Sequence, residues 1–179
     1  MGHLRRPAAA LLVALGLLLA VGPAVNLAAQ TPPYSSTVTV RGLVSASQTY
    51  ALDELQRFAA EELTIEVEQG GAPRQATYRG VPLHALLLAT GLQIGPPQPG
   101  DPLRLYVVVT GTDGYQVVIA WGEIDPGFEA KHVLVAYQRD GQLLGEGQGM
   151  AQLVVPGDQR AGRFVRNVES LTLRRADAP

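Results

Sequence analysis

The sequence predicts an α+β domain in which a mixed β-sheet is flanked by short helices. Short apolar or alternating segments recur along the chain, and the pairs Gly70-Gly71, Asp113-Gly114 and Asp140-Gly141 separate them as turn signals. The segment that begins at Pro82 shows the clearest helical spacing of leucines. Strands joined mainly by hairpins, with few helices among them, are typical of the α+β class.

Residues 1–29 have the layout of a secretory signal peptide. Arg5 and Arg6 precede an apolar run from Ala8 to Val21, and small residues follow up to Ala29. The run is shorter than the roughly 20 apolar residues that a membrane-spanning helix needs. We therefore expect cleavage near residue 24 or 29, export to the periplasm or the extracellular space, and no membrane association afterwards.

The composition excludes several classes of protein. The chain has no cysteine, so neither a disulfide nor a lipidated thiol is available to it. Removal of Arg5 and Arg6 leaves 12 of the 14 Lys+Arg against 16 Asp+Glu, which gives a net charge near −4. An acidic domain of this kind does not bind nucleic acid through a general basic surface.

The domain is predicted to extend from residue 37 to residue 175, after a tether at 30–36. Residues 37–44 alternate between apolar and polar side chains, as a half-buried strand does. Leu52, Leu55 and Phe58 then lie at helical spacing and predict a short amphipathic helix.

The next two elements are a hairpin and the best-defined helix. Ile65 and Val67 alternate with polar residues, and Gly70-Gly71 turns the chain back toward residues 75–78. Pro82 suits the first turn of a helix whose leucines at 83, 86 and 87 form one face, and Gly91 marks its end. A proline- and glycine-rich loop follows at 95–102, and the remaining predicted strands are 103–110, 115–120, 133–137, 153–155 and 168–173.

The order of motifs resembles the molybdopterin-binding domain of the sulfite oxidase family. Tyr-Arg-Gly-Val-Pro-Leu at 78–83, Asp-Gly-Tyr at 113–115 and Leu-Val-Val-Pro-Gly at 153–157 carry the resemblance. The chain is most similar to a group of small exported members without cysteine, which share Glu-x-Asp-Pro, here 123–126, and Asp-x-Arg, here 158–160. The resemblance implies a sulfite-oxidase-like pterin-domain fold and makes molybdopterin the cofactor to test.

Three departures from the family pattern concern that cofactor. The cysteine that ligates molybdenum in redox relatives would fall near 66–69, where the chain has Glu-Val-Glu-Gln. A carboxylate is a hard oxygen ligand and does not replace a soft thiolate. The His-Gly-x-Pro-x-Arg segment of relatives reads Gln148-Gly149-Met150-Ala151-Gln152 here, so neutral amides stand in place of the imidazole and the guanidinium.

Three arginines after the Pro156-Gly157 turn are the main candidate site. Arg160, Arg163 and Arg166 are spaced by three residues, which on a helical or 3₁₀ turn would place them along one side. Such a cluster would recognise a phosphate or another oxyanion. The alternative is surface ion pairing with Asp158 and Glu169, which contributes little to stability.

The remaining candidate cofactor-binding residues are Asp113, Tyr115, Gln148 and Gln152, and no catalytic residue is assigned. Asp113-Gly114 is first a turn signature, while Tyr115 either stands at the rim of a pocket or is a half-buried strand tyrosine. We predict structural roles for three other residues: Glu123 and Asp125 cap a helix, and Trp121 lies in the core. His84 and His132 are lone histidines and predict no metal site.

The sequence thus leads to one hypothesis and two alternatives. The leading hypothesis is an exported binding module for a small anionic ligand, a pterin derivative or an oxyanion, without cysteine-ligated molybdenum. The first alternative is a molybdopterin-dependent oxidoreductase with a non-cysteine metal environment or a thiolate from a partner chain. The second is a domain that only binds a protein partner, whose identity the sequence does not indicate.

Overall fold

The computed structural model describes residues 34–69, 72–93, 101–145 and 147–176, together with Gly2. The chain divides into two compact units, residues 1–30 and residues 31–179. The predicted signal peptide and residues 30–33 of the tether lie outside the described residues, so cleavage and the domain limits stay predictions. No helix within the described ranges has the length and apolarity that a bilayer crossing requires.

Ten strands and three short helices make up the described part of residues 31–179. The strands are β1 (Val38–Gly42), β2 (Gln48–Tyr50), β3 (Glu61–Gln69), β4 (Ala72–Pro82), β5 (Leu105–Gly111), β6 (Gln116–Ala120), β7 (Leu134–Arg139), β8 (Gln142–Leu143), β9 (Gln152–Val154) and β10 (Val168–Arg175). The helices are α1 (Leu52–Leu55), α2 (Leu83–Ala89) and α3 (Trp121–Ile124), with 3₁₀ turns at Asp101–Arg104 and Ala161–Arg163.

The strands form two sheets rather than the single sheet that the sequence predicted. Sheet A has the order β2-β1-β10-β5-β6, and sheet B has the order β3-β4-β7-β8 with β9 also paired to β7. Sheet A is mixed, because β1 and β10 run parallel while its other pairs are antiparallel. The predicted α+β class with a mixed sheet and short helices is confirmed.

The main core joins both sheets. Alternate residues of β1, such as Val38 and Val40, are fully buried, and so is most of the leucine face of α2. A second, smaller cluster lies on the other face of sheet B and contains Tyr78, Ala136 and Val154, with Phe164 packed against it. This second face of sheet B positions the candidate site.

Helix boundaries differ from the prediction at two points. Helix α1 ends at Leu55, and Phe58 lies beyond it, where its ring packs edge-on against Tyr50 at a centroid distance of 5.6 Å. Helix α2 begins at Leu83, directly after Pro82, and is followed by Gly91 with φ of 71°. A positive φ after a helix is a conformation that glycine adopts without a steric penalty, so the predicted stop signal is confirmed.

Strand boundaries shift for local reasons. The strand predicted from residue 103 begins at Leu105, because Asp101–Arg104 forms a 3₁₀ turn first. The β3–β4 hairpin is confirmed, although Gly70-Gly71 lies outside the described residues, as do residues 95–100 of the predicted loop. The Asp140-Gly141 turn connects β7 to β8, with positive φ at both residues.

Candidate functional site

A small cavity lies between β3 and the turn that follows β9. Ile65 and Glu66 line one side, and residues 155–158 together with Phe164 line the other, around a volume of about 230 Å³. We call this space the β3 cavity. The family resemblance places a metal-binding cysteine near residues 66–69. The first of these positions, Glu66, lines the cavity and is exposed. The side chains of residues 67–69 lie outside the described part of the structure.

Arg163 is held by two carboxylates beside this cavity. Its Nε and Nη2 donate to Asp158 Oδ2 and Oδ1 at 2.8 and 2.6 Å, and its Nη1 donates to Glu123 Oε2 and Oε1 at 2.9 and 3.1 Å. Lys131 Nζ contacts the same Glu123 Oε2 at 3.2 Å and Glu129 Oε1 at 3.1 Å. The result is a partly buried network of three carboxylates and two cations.

The network determines the charge state of its members. The hydrogen bonds from Arg163 hold the pKa of Asp158 below its ordinary value. Burial would raise the pKa of Glu123, but hydrogen bonds from Arg163, the Ala120 N–H and Lys131 outweigh burial, and the net pKa is lowered. The pKa of Arg163 is raised, chiefly by Asp158. These groups therefore stay charged at neutral pH, and Arg163 serves as a structural cation.

The three arginines do not share one side of a single turn, which corrects the spacing argument. The 3₁₀ turn covers only Ala161–Arg163, while Arg160 precedes it in an extended conformation with φ of −138° and ψ of 144°. Arg166 lies beyond the turn and is exposed. Because a periodic spacing aligns side chains only within one continuous helix, the three guanidinium groups have different surroundings.

Arg160 and Arg166 remain open cations. Both are exposed, and within the described residues no hydrogen bond or ion pair joins either guanidinium to another side chain. Arg166 is close enough to the buried Tyr78 to oppose the rise in its phenol pKa, which burial causes. Arg139 lies over the ring of Tyr78, with its guanidinium carbon 5.7 Å from the ring centroid. Tyr78 therefore lies near the guanidinium groups of Arg139 and Arg166.

Tyr115 is exposed rather than half-buried in a strand. It precedes β6, leaves 50% of its surface accessible, and its hydroxyl donates to the Gly162 carbonyl at 2.6 Å. Asp113 Oδ1 accepts a hydrogen bond from the Tyr115 N–H at 2.9 Å, and Gly114 has φ of 80°. The turn role of Asp113-Gly114 is confirmed, and the tyrosine fixes the 3₁₀ turn beside Arg163.

The two glutamines occupy different environments. Gln152 is only 4% exposed, lies opposite Ala136 of β7, and its Oε1 has no hydrogen-bond partner. Gln148 is half-buried in a turn, where its backbone N–H and C=O bond to Gly145 and Asn167. A buried acceptor without a partner is uncommon in folded proteins, so Gln152 marks unsatisfied polarity on the second face of sheet B.

Glu123 and Trp121 have the structural roles that the sequence predicted for them. Glu123 Oε1 accepts from the Ala120 N–H at 3.1 Å and so caps α3, and Asp125 accepts from the Trp121 indole N–H. Trp121 is 4% exposed and packs against His84. His132 pairs with Glu61 at 2.9 Å. Across the described ranges no group of three His, Asp or Glu side chains is arranged to hold a metal ion.

Sequence reasoning missed three contributors. Tyr78 entered the sequence analysis only as the first residue of the Tyr-Arg-Gly-Val-Pro-Leu motif and was not a candidate site residue. Arg139 adjoins the Asp140-Gly141 turn and was not among the candidate residues. The alternative to anion binding was ion pairing of the arginines with Asp158 and Glu169; Arg163 does pair with Asp158, but its second partner is Glu123, which lies 40 residues away in sequence. No local pattern signals such a pair, because it depends on how the turn after β9 meets α3.

Comparisons with known proteins agree with the fold. The family model described as "Oxidoreductase molybdopterin binding domain" matches residues 26–179. Among solved structures, the sulfane dehydrogenase SoxCD from Paracoccus pantotrophus aligns with a TM-score of 0.63 and 20% identity, over 82% of this chain and 40% of that chain. The chain therefore spans well under half the length of that relative. A search of curated proteins finds no significant match.

The described residues do not fit a cysteine-ligated molybdenum cofactor. The chain supplies no thiolate, and the charged side chains that line the β3 cavity, Glu66 and Asp158, are acidic. The donors of Arg163 are already shared between two carboxylates, and Gln152 carries no charge. The misfit therefore rests on the missing thiolate, whereas Arg160 and Arg166 keep unshared guanidinium groups that suit an anion.

Proposed function

Because the chain belongs to the oxidoreductase molybdopterin-binding domain family, we propose that it is an exported binding module of that family. Its ligand is a small anion, an oxyanion or a pterin derivative, held without cysteine-ligated molybdenum. One observation carries this proposal: Arg160 and Arg166 are exposed and unpaired within the described residues. Asp158 and Phe164 line the β3 cavity. In sequence, Arg160 lies two residues after Asp158, and Arg166 lies two residues after Phe164.

The physical chemistry supports an oxyanion. A guanidinium group presents a planar fork of N–H donors that matches two oxygens of a phosphate, sulfate or carboxylate. Both groups keep their hydration in the free protein, so each contributes modestly, and the pair is needed for useful affinity. Arg163 plays a positioning part, since its four hydrogen bonds to Asp158 and Glu123 hold the segment between the two open arginines in place.

The proposal is tested with inorganic phosphate as the probe. We expect calorimetric titration at low ionic strength to show binding by the wild type and at least a tenfold weaker association for the Arg160→Gln/Arg166→Gln double variant. Arg57→Gln is the matched control, because Arg57 lies in the turn after α1, its side chain is 72% accessible, and within the described residues it pairs only with Asp53. Equal losses in the control and the double variant, or no binding by the wild type, would overturn the anion site.

A second measurement separates the alternatives. If protein isolated from its own host contains near-stoichiometric molybdenum, the metal-free binding module is wrong and the oxidoreductase alternative stands; a pterin without molybdenum would instead support the binding module. If the wild type binds neither phosphate nor sulfate but co-purifies with one protein in fixed ratio, the partner-binding alternative replaces it. Elemental analysis and small-molecule mass spectrometry read out both.

A further inference from the structure

A second cavity lies away from the arginine site. It has a volume of about 600 Å³ and opens beside the start of the domain, where Tyr34 stands. Its wall contains Leu52 of α1, Tyr137 of β7, and Leu143, Leu144 and Met150 from the segment after β7. We call it the β7 cavity. A volume of 300–1,000 Å³ is usual for a small-molecule site.

The β7 cavity and the arginine site are on opposite sides of sheet B. Tyr137 belongs to the main core cluster, whereas its neighbour Ala136 belongs to the second cluster, opposite Gln152. Successive side chains of a strand point to opposite faces, so a molecule in one site does not contact the other. A ligand in this cavity therefore makes no direct contact with an anion at the arginine site.

The chemistry of the wall selects the ligand. Among the described residues that line the β7 cavity there is no Asp, Glu, Lys, Arg or His. Its apolar side chains are aliphatic or thioether groups, and two tyrosine rings add flat apolar surface. A charged ligand would lose hydration here with no ion to compensate it, whereas an apolar body would gain by leaving water.

The mouth of the cavity exposes apolar surface together with hydroxyl groups. Leu143 is 51% exposed and Tyr34 is 49% exposed, although both line the cavity. Tyr34 and Ser36 also line the cavity and are exposed, so their hydroxyls provide neutral hydrogen-bonding groups where it meets solvent. An apolar interior with a neutral polar mouth is complementary to a molecule with the same two parts.

We propose that the β7 cavity binds a neutral amphiphile, with its apolar body against Leu52, Leu144 and Met150 and an uncharged hydroxyl or carbonyl group at the mouth. The site is a second ligand site on the domain. It takes a ligand of the opposite chemical class to that proposed for the arginines.

The experiment uses N-phenyl-1-naphthylamine, a neutral fluorophore whose emission rises in apolar surroundings. We expect saturable binding by the wild type, displacement by 1-decanol, and at least tenfold weaker displacement by decanoate, which has the same chain length and a charge. The variant Leu143→Asp places a charge at the mouth, and we expect it to weaken probe binding about tenfold or more. Leu143→Ser, which adds no charge, is expected to have a smaller effect in the same direction.

The matched control is Leu103→Asp, because Leu103 is 57% exposed and does not line this cavity. It should bind the probe as the wild type does. The proposal is overturned if the probe does not bind, if Leu103→Asp and Leu143→Asp lose affinity equally, or if decanoate competes as well as decanol. Since both leucines are half-exposed, circular dichroism should show the same fold in both variants.

Discussion

Replacing Arg163 by alanine should destabilise the domain much more than replacing any other surface arginine. The change removes four hydrogen bonds to carboxylates, at 2.6 to 3.1 Å, from a side chain that is 30% exposed. It also leaves the Asp158 and Glu123 side chains, 18% and 21% exposed, without the cation that neutralised both.

The magnitude follows from the geometry. A net hydrogen bond to a charged group contributes about 1.5–3 kcal/mol, but several bonds from one guanidinium are not additive. Glu123 keeps Lys131 at 3.2 Å, so most of the loss falls on Asp158 and its two-pronged contact. We expect a decrease in the free energy of unfolding of about 2–4 kcal/mol, because partly buried charges lose less than the 3–5 kcal/mol of a fully buried pair.

Chemical unfolding in urea, followed by the fluorescence of Trp121, measures this loss directly. Trp121 is the only tryptophan and lies in α3 with Glu123, two residues before it. Arg57→Ala is the control: its pair with Asp53 is 72% and 68% exposed and should cost about 0.5 kcal/mol or less. Arg163→Lys should recover part of the loss. A loss for Arg163→Ala no larger than that of the control would refute the view that this network holds the turn.

Three further predictions concern pH, packing and processing. The pKa values of Asp158 and Glu123 are lowered in the folded protein, so the stabilisation from these carboxylates is present above their ordinary values of 3.8 and 4.5 and is lost as the pH falls below those values. Urea midpoints at a series of acidic pH values should therefore fall less steeply for Arg163→Ala than for the wild type. Gly80→Ala should cost about 3 kcal/mol or more in urea unfolding, because its Cβ would overlap the backbone of β7, whereas Gly114→Ala meets open space and should cost only the about 1–2 kcal/mol of its positive φ. N-terminal sequencing of the exported protein should give a start between residues 25 and 31, and an intact Met1 in a membrane extract would contradict cleavage.

The fold was predictable where local chemistry decides it. The leucine face of α2, the glycine at its end and the turns at Asp113-Gly114 and Asp140-Gly141 require specific residues at fixed offsets, and each is found as expected. The separation into two sheets was not predictable, because strand pairing over long sequence distances depends on the whole core. Nothing local distinguishes β10, which joins sheet A, from β9, which joins sheet B.

The site was predictable only in part. The sequence shows that segment 158–166 is rich in charge, and ion pairing of its arginines with Asp158 was the predicted alternative to anion binding. Arg163 forms that pair. Its second partner, Glu123, was assigned to capping alone and in fact has both roles. The regular spacing of three arginines was misleading, because the 3₁₀ turn that would have aligned them covers three residues only.

The parallel pairing of β1 with β10 has a consequence for how the domain is assembled. Thr39 to Gly42 lie opposite Ser170 to Leu173, and β10 also pairs along its length with β5. The last of the described strands in chain order is therefore the middle strand of sheet A, with β1 on one side and β5 on the other. A chain that stopped before residue 168 would lose the link between two halves of a sheet. Until β10 has been synthesised, β1 and β5 lack the strand that pairs with both of them. Because this pairing joins residues far apart in sequence, we expect sheet A to form slowly during synthesis.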